Sequence, residues 1–161
     1  MRVLIVRHAT AVARGTPEIP DDERPLTAEG ERRFRKAARG LARLTRRPDV
    51  LLSSPLPRAH RTAEIAARAW GRVQVTDTPA LVGAGFDEVA RLLDEHRDKR
   101  MVVLVGHEPS LSELLARLLG SRDSDRLAFR KGGAALVDLP GPAADGGRLV
   151  WFLPPRTLRR L

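Results

Sequence analysis

The strongest constraint on this fold is a set of short, unbroken apolar runs, each followed at once by polar residues. Val3-Leu4-Ile5-Val6 meets Arg7-His8, Val50-Leu51-Leu52 meets Ser53-Ser54, and Met101-Val102-Val103-Leu104-Val105 meets Gly106-His107. Runs this short are strand-sized. Their lack of polar alternation means that both faces are covered, as in the interior of a parallel sheet flanked by helices. Strands are predicted over Arg2–Val6, Asp49–Leu52, Val73–Thr76, Arg100–Val105, Ala134–Leu139 and Arg148–Leu153. Segments with helical spacing lie between them. One is capped by Thr27 and runs to about Leu44, placing Phe34, Ala37, Ala38, Leu41 and Leu44 on one face. Another runs from Pro57, suited to a first helical turn, to Trp70. A third runs from Asp87 to about Arg97 with Val89, Leu92, Leu93 and His96 on one face, and a fourth from Pro109 to Leu119.

Strand–helix alternation of this kind predicts a three-layer α/β/α sandwich around a mostly parallel central sheet. The last two predicted strands are joined by a turn containing Pro140-Gly141-Pro142, too short for a crossover helix. They are expected to add an antiparallel edge. The C-terminal ends of parallel strands share one edge, where ligands bind. Arg7, His8, Arg58 and His107 are therefore expected to converge, although about fifty residues separate each segment from the next. The long polar segment Thr10–Pro25 follows the first strand, where active-site loops belong.

That convergence has a chemical logic. Guanidinium forks match the oxygens of a phosphate and neutralise its charge. A neutral imidazole can attack phosphorus and carry the phosphoryl group, and a second imidazole can bind its oxygens. Nearby arginines should keep His8 unprotonated. The helix beginning just after His107 could add amides and a dipole to the anion site. Taken singly, Arg7-His8 reads as a solvated pair, His107 as a cap or core residue, and Arg58 as a surface residue. His60 is expected near the mouth of the site and His96 on a helix face, both without catalytic duty. Glu29, Glu31 and the Arg32–Lys36 cluster read as a solvated helix face.

Composition narrows the field further. The 161 residues carry a formal charge of +9, but the basic residues are almost all Arg and are spread along the chain. Aromatics make up only 4%, too few for a base-stacking surface, so nucleic acid is not an expected partner. With no Cys there is no thiol catalysis and no thiolate metal site. No apolar stretch is long enough to cross a membrane, and the N-terminal apolar run is too short for a secretory signal. The expectation is a cytoplasmic protein without membrane contact.

The same residues carry a family resemblance. Leu4-Ile5-Val6-Arg7-His8-Ala9 is similar to the Arg-His-Gly signature of the histidine phosphatase (phosphoglycerate mutase-like) superfamily. Pro25-Leu26-Thr27-Ala28-Glu29-Gly30 resembles its Pro-Leu-Thr-x-x-Gly segment. Ser53-Ser54-Pro55-Leu56-Pro57-Arg58-Ala59-His60-Arg61-Thr62-Ala63 resembles its Ser-Pro-x-x-Arg-Ala-x-x-Thr-Ala segment. Val105-Gly106-His107-Glu108-Pro109 resembles its second-histidine segment, and Trp151-Phe152-Leu153-Pro154-Pro155 the ending of the short SixA-type phosphohistidine phosphatases. The likeness runs through nearly the whole chain and implies one domain over residues 1–161.

It implies a phosphatase with His8 as nucleophile, Arg7, Arg58 and His107 as phosphate ligands, no metal and no organic cofactor. Two departures stand out. Ala9 replaces the commonest Gly. The stretch Leu81-Val82-Gly83-Ala84-Gly85 lacks the acid that larger members carry there as proton donor, with Asp87 and Glu88 reading instead as a helix's first turn. The missing donor and the short chain, with no inserted substrate domain, are both SixA-like. The expected substrate is phosphohistidine on a protein such as a phosphotransfer domain. The alternatives are a small phosphorylated metabolite or nucleotide, or a weakly catalytic phosphate-binding module.

Overall fold

A computed structural model describes residues 1–161. The strands are β1 (Arg2–Arg7), β2 (Val50–Ser53), β3 (Val75–Asp77), β4 (Met101–Gly106), β5 (Ala134–Asp138) and β6 (Arg148–Leu153). The helices are α1 (Ala28–Leu44), α2 (Pro57–Ala69), α3 (Ala80–Gly83), α4 (Phe86–Asp94), α5 (Ser110–Leu118) and α6 (Pro155–Leu158). The strands form one sheet in the order β3-β2-β4-β1-β5-β6. β1, β2, β3 and β4 are mutually parallel, whereas β5 runs antiparallel to both β1 and β6. The expected antiparallel edge is thus one reversed strand. β6 turns back and points the same way as β1, because a second hairpin-type reversal restores the original direction.

The unbroken apolar runs have their predicted cause. Val3 through Val6 are fully buried and divide between the two faces of the sheet. Leu4, Val6, Val103 and Val105 pack with Phe34, Ala38 and Leu41 of α1, Ala63 and Ala66 of α2, and Leu158 of α6. Val3, Ile5, Val102 and Leu104 pack with Leu93 of α4 and with Leu111, Leu115 and Leu118 of α5. A strand buried on both faces has no position for a polar side chain, and truncating one of these leucines to Ala costs about 2–5 kcal/mol.

α1 begins as expected, with Thr27 Oγ1 accepting from the amide of Gly30 at 2.9 Å. Its stripe is buried except at Leu44, 38% exposed in the last turn. Several boundaries moved. β3 starts at Val75 and is only three residues long. α4 ends at Asp94, whose carboxylate accepts from the amide of Ala143. His96 therefore lies in the turn beyond the helix rather than on its face. α3 and α6 are single-turn helices with no predicted counterpart.

Gly30 has a reason beyond the cap. The amide of Thr27 donates to Thr10 O at 3.0 Å, and a Cβ on Gly30 would overlap that same carbonyl oxygen. α1 can close on the segment after β1 only if this position has no side chain. Gly30→Ala should therefore push Thr10 away and disturb His8, two residues upstream. Overpacking against backbone should cost about 1–3 kcal/mol of stability. Catalytic efficiency should fall with it, and urea melts alongside steady-state kinetics check both. An unchanged melt would show that the close approach is not needed.

Candidate active site

His8 and His107 leave adjacent strands at the same level, because Arg7 pairs with Gly106 in the parallel register of β1 and β4. The pairing continues one residue further, with the His8 amide donating to Gly106 O at 3.0 Å. The two rings end 5.2 Å apart between centroids, tilted by 52°. Arg58 comes from the first turn of α2, just beyond β2. It is 5% exposed, as is His8, and His107 is 6% exposed. Arg7 is half-buried. All four predicted residues line one pocket of about 240 Å³.

Each imidazole has one nitrogen engaged. His8 Nδ1 lies 2.7 Å from Ala9 O. A carbonyl only accepts, so Nδ1 carries the ring proton and the lone pair sits on Nε2. His107 Nε2 lies 2.8 Å from Ser54 Oγ, which also accepts from the amide of Leu56. The other ring nitrogen of His107, Nδ1, is buried and has no protein partner. Arg7 Nη1 donates to Phe129 O at 2.6 Å and Arg58 Nη1 to Asp21 O at 2.8 Å, so backbone carbonyls fix both guanidinium groups. Arg7 Nε and Arg58 Nε are buried and unpaired. Three unmet buried nitrogens around one cationic pocket fit an anion with several oxygens, since leaving such groups unsatisfied costs about 1–3 kcal/mol each.

Burial pushes the His8 imidazole down to about 3, helped by the charges of His107, Arg58 and Arg7 and opposed by its bond to Ala9. Burial likewise lowers His107 to about 4, with Arg58, Arg7 and Arg24 adding repulsion. Both rings are therefore neutral at pH 7. The consequence for stability has a definite sign. Below the usual value of about 6.5 the unfolded chain takes up protons that the folded site refuses, so stability falls as pH drops from about 6.5 toward 4. The melting temperature should decline across that window, and His107→Gln should reduce the decline. A melting temperature that is flat between pH 6.5 and 5 would contradict the burial of neutral rings.

Several residues of the site were not anticipated from sequence. Arg24, 7% exposed, lines the pocket together with Arg14 and Lys131. Arg24 and Arg14 both lie in the polar segment after β1, so the placement of that loop was the one available signal. Asp21 holds this group together. Its Oδ1 accepts from Arg14 Nε and Arg24 Nε, each at 2.9 Å, and its Oδ2 lies 3.9 Å from Arg58 Nη2. Burial would raise the Asp21 carboxyl, but the bonds and charges of Arg24 and Arg14 outweigh it and hold the group below the usual carboxylate range.

At the start of α5, Glu108 turns back over the first turn. Its Oε2 accepts from the amide and hydroxyl of Ser112, and its Oε1 from the amide of Phe129. A carboxylate linked to the same chain outcompetes an external anion for the Ser112 amide. His60 does not line the pocket. It sits on the flank of α2, with Nδ1 2.8 Å from Asp77 Oδ1 and Nε2 3.7 Å from Glu64. Glu31 is also more than a solvated residue, since it is bonded by Arg61 at 2.7 Å and by Arg35 at 2.6 Å. No group of three or more His, Asp or Glu side chains is placed to hold a metal ion. No helix is long and apolar enough to cross a membrane.

Comparison with known proteins agrees with this fold. The structure of the protein histidine phosphatase SixA in complex with tungstate superposes with a TM-score of 0.83 at 26% identity, covering 98% of this chain and 99% of that one. A mycobacterial glucosyl-3-phosphoglycerate phosphatase shares the fold at 18% identity and a TM-score of 0.77, covering 95% and 99% of the two chains. An uncharacterized protein of Picosynechococcus sp. is 34% identical over 136 residues, 83% of this chain and 82% of its own. The model of the histidine phosphatase superfamily (branch 1) matches residues 3–89, a span that includes Arg7, His8 and Arg58 and ends before His107. With more than half its length matched, the chain belongs to the histidine phosphatase superfamily, branch 1.

Proposed function

We propose that this phosphatase hydrolyses phosphohistidine on a protein, through a phosphoryl group carried on His8. In this reading Nε2 of His8 forms a bond to phosphorus while the bond to the leaving group breaks. Arg7, Arg58 and His107 hold the equatorial oxygens, where charge shifts during transfer. Water then bonds to phosphorus, the Nε2–phosphorus bond breaks with its electron pair returning to Nε2, and the phosphate leaves as dihydrogen phosphate carrying both protons of the water. The tetrahedral oxyanion tungstate bound by the SixA relative is consistent with such a pocket.

The observation that carries the substrate class is the state of the carboxylates. Glu108 is the one acid lining the pocket, and both of its oxygens accept hydrogen bonds from Phe129 and Ser112. Asp21, on the nearby loop, is kept ionised by its arginines. Asp87 and Glu88 occupy the first turn of α4 and do not line the pocket. No carboxyl is thus poised to protonate an alkoxide. A phosphoimidazole needs no such donor. Its second ring nitrogen titrates near neutrality, so the ring departs as neutral imidazole with a proton of its own.

General acid catalysis contributes about 10²–10⁴-fold. The expected order of kcat/KM is therefore a phosphohistidine protein first, nitrophenyl phosphate next, and a sugar phosphate last by a factor in that range. If the sugar phosphate is the best substrate, this reading fails and Glu108 and Glu88 become the first residues to mutate.

A further inference from the structure

A second cleft, of about 310 Å³, adjoins the pocket between the start of α1, the loop before β5 and α6. Its walls carry Arg33, Arg130, Lys131, Arg156 and Arg159, and no Asp or Glu. Around the rest of the site, Arg35 and Arg61 pair with Glu31, and Arg14 and the buried Arg24 with Asp21. In this cleft only Arg33 has a carboxylate partner, Glu29 at 2.5 Å. The other four cations have none. Lys131 lines both the cleft and the pocket, and Ala9 and Thr10, which directly follow His8, form part of the cleft wall.

We propose that this cleft docks an acidic face of the phosphoprotein substrate, an inference that rests on the phosphohistidine-protein reading. The position fits: a side chain inserted far enough to meet His8 brings the surface around it over Ala9, Thr10 and Lys131. The charge fits, since uncompensated cations beside a reaction centre raise the local concentration of an anionic partner. The exposure of Arg130, Lys131 and Arg156 favours a broad protein surface over a small second anion. A small-anion site would be built from buried donors, as the neighbouring pocket is. Phe34, the one aromatic ring in the lining, is buried at 2% exposure, which leaves no ring for nucleic-acid bases to stack on.

The test uses the full chain with Arg130→Glu/Arg156→Glu, two exposed positions outside the catalytic pocket. At low salt the pair should lower kcat/KM on an acidic phosphohistidine protein by about tenfold or more, through KM. It should leave nitrophenyl phosphate hydrolysis unchanged, and the difference should close near 1 M salt. Binding of a fluorescent deca-glutamate peptide should weaken by a similar factor. If the charge reversal disturbs the melt, Arg130→Gln/Arg156→Gln should show the same pattern at smaller size. Equal turnover of the phosphoprotein by both forms overturns the proposal, and so does tighter binding of duplex DNA than of the peptide. If the wild type hydrolyses nitrophenyl phosphate but ignores the phosphoprotein, the substrate reading fails separately. The peptide then decides: weakened binding in the variant upholds an acid-docking surface, and unchanged binding overturns it.

Discussion

His8→Ala is expected to abolish turnover while leaving a folded protein. The loss should be on the order of 10⁴–10⁶-fold, the scale seen when an enzyme loses its nucleophile and keeps only its binding groups. The fold should survive because little depends on the ring. Its one hydrogen bond is to the adjacent Ala9 carbonyl, and the strand pairing of residue 8 runs through its amide to Gly106 O. Removing a buried ring that resists protonation also removes part of the acid sensitivity described above. The wild type should accumulate protein-bound phosphate that is acid-labile and base-stable during turnover, and the variant should accumulate none. Substantial activity in His8→Ala would place the chemistry on another residue.

The second large effect is expected at Arg58. Arg58→Ala should lower kcat/KM by roughly two to three orders of magnitude, equivalent to about 2–4 kcal/mol of transition-state stabilisation. Two losses combine. The guanidinium brings positive charge and an unpaired Nε to the pocket, and its Nη1 holds the Asp21 carbonyl and with it the loop that carries Arg24. Arg58→Lys separates them, because an ammonium keeps the charge but not the fork, and it should recover only part of the activity. Inhibition by vanadate or inorganic phosphate should weaken in parallel. Unchanged phosphate affinity in Arg58→Ala and in His107→Ala would show that the pocket does not bind the phosphoryl group.

What the sequence revealed and what it hid have physical reasons. Buried strands advertise themselves because every position must be apolar, and their ends are marked by the first polar residue. That made β1, β2 and β4 readable and with them the meeting of Arg7, His8, Arg58 and His107. The path of the loop after β1 carries no such signal. Arg24 became part of the site only through its bonds to Asp21 and Val12 O. At the start of α5, the loss of the Ser112 amide to Glu108 was equally hidden, because only the side-chain conformation shows it. The antiparallel pairing of β5 with β6 was readable from their short connection, but the attachment of β5 to β1 was not, because the long segment before β5 carries no sense of direction.

The bond from His8 Nδ1 to the Ala9 carbonyl also settles a matter of regiochemistry. Imidazole can be phosphorylated on either nitrogen, giving two isomers that isomer-specific antibodies tell apart. Here one nitrogen is tied to the carbonyl of Ala9. Any covalent intermediate on this ring is therefore a single isomer, with phosphorus on Nε2. The ring cannot flip to exchange the two positions without breaking that tie and leaving a buried carbonyl unpaired. The isomer of any such intermediate would thus be chosen by orientation, at the level of one peptide bond.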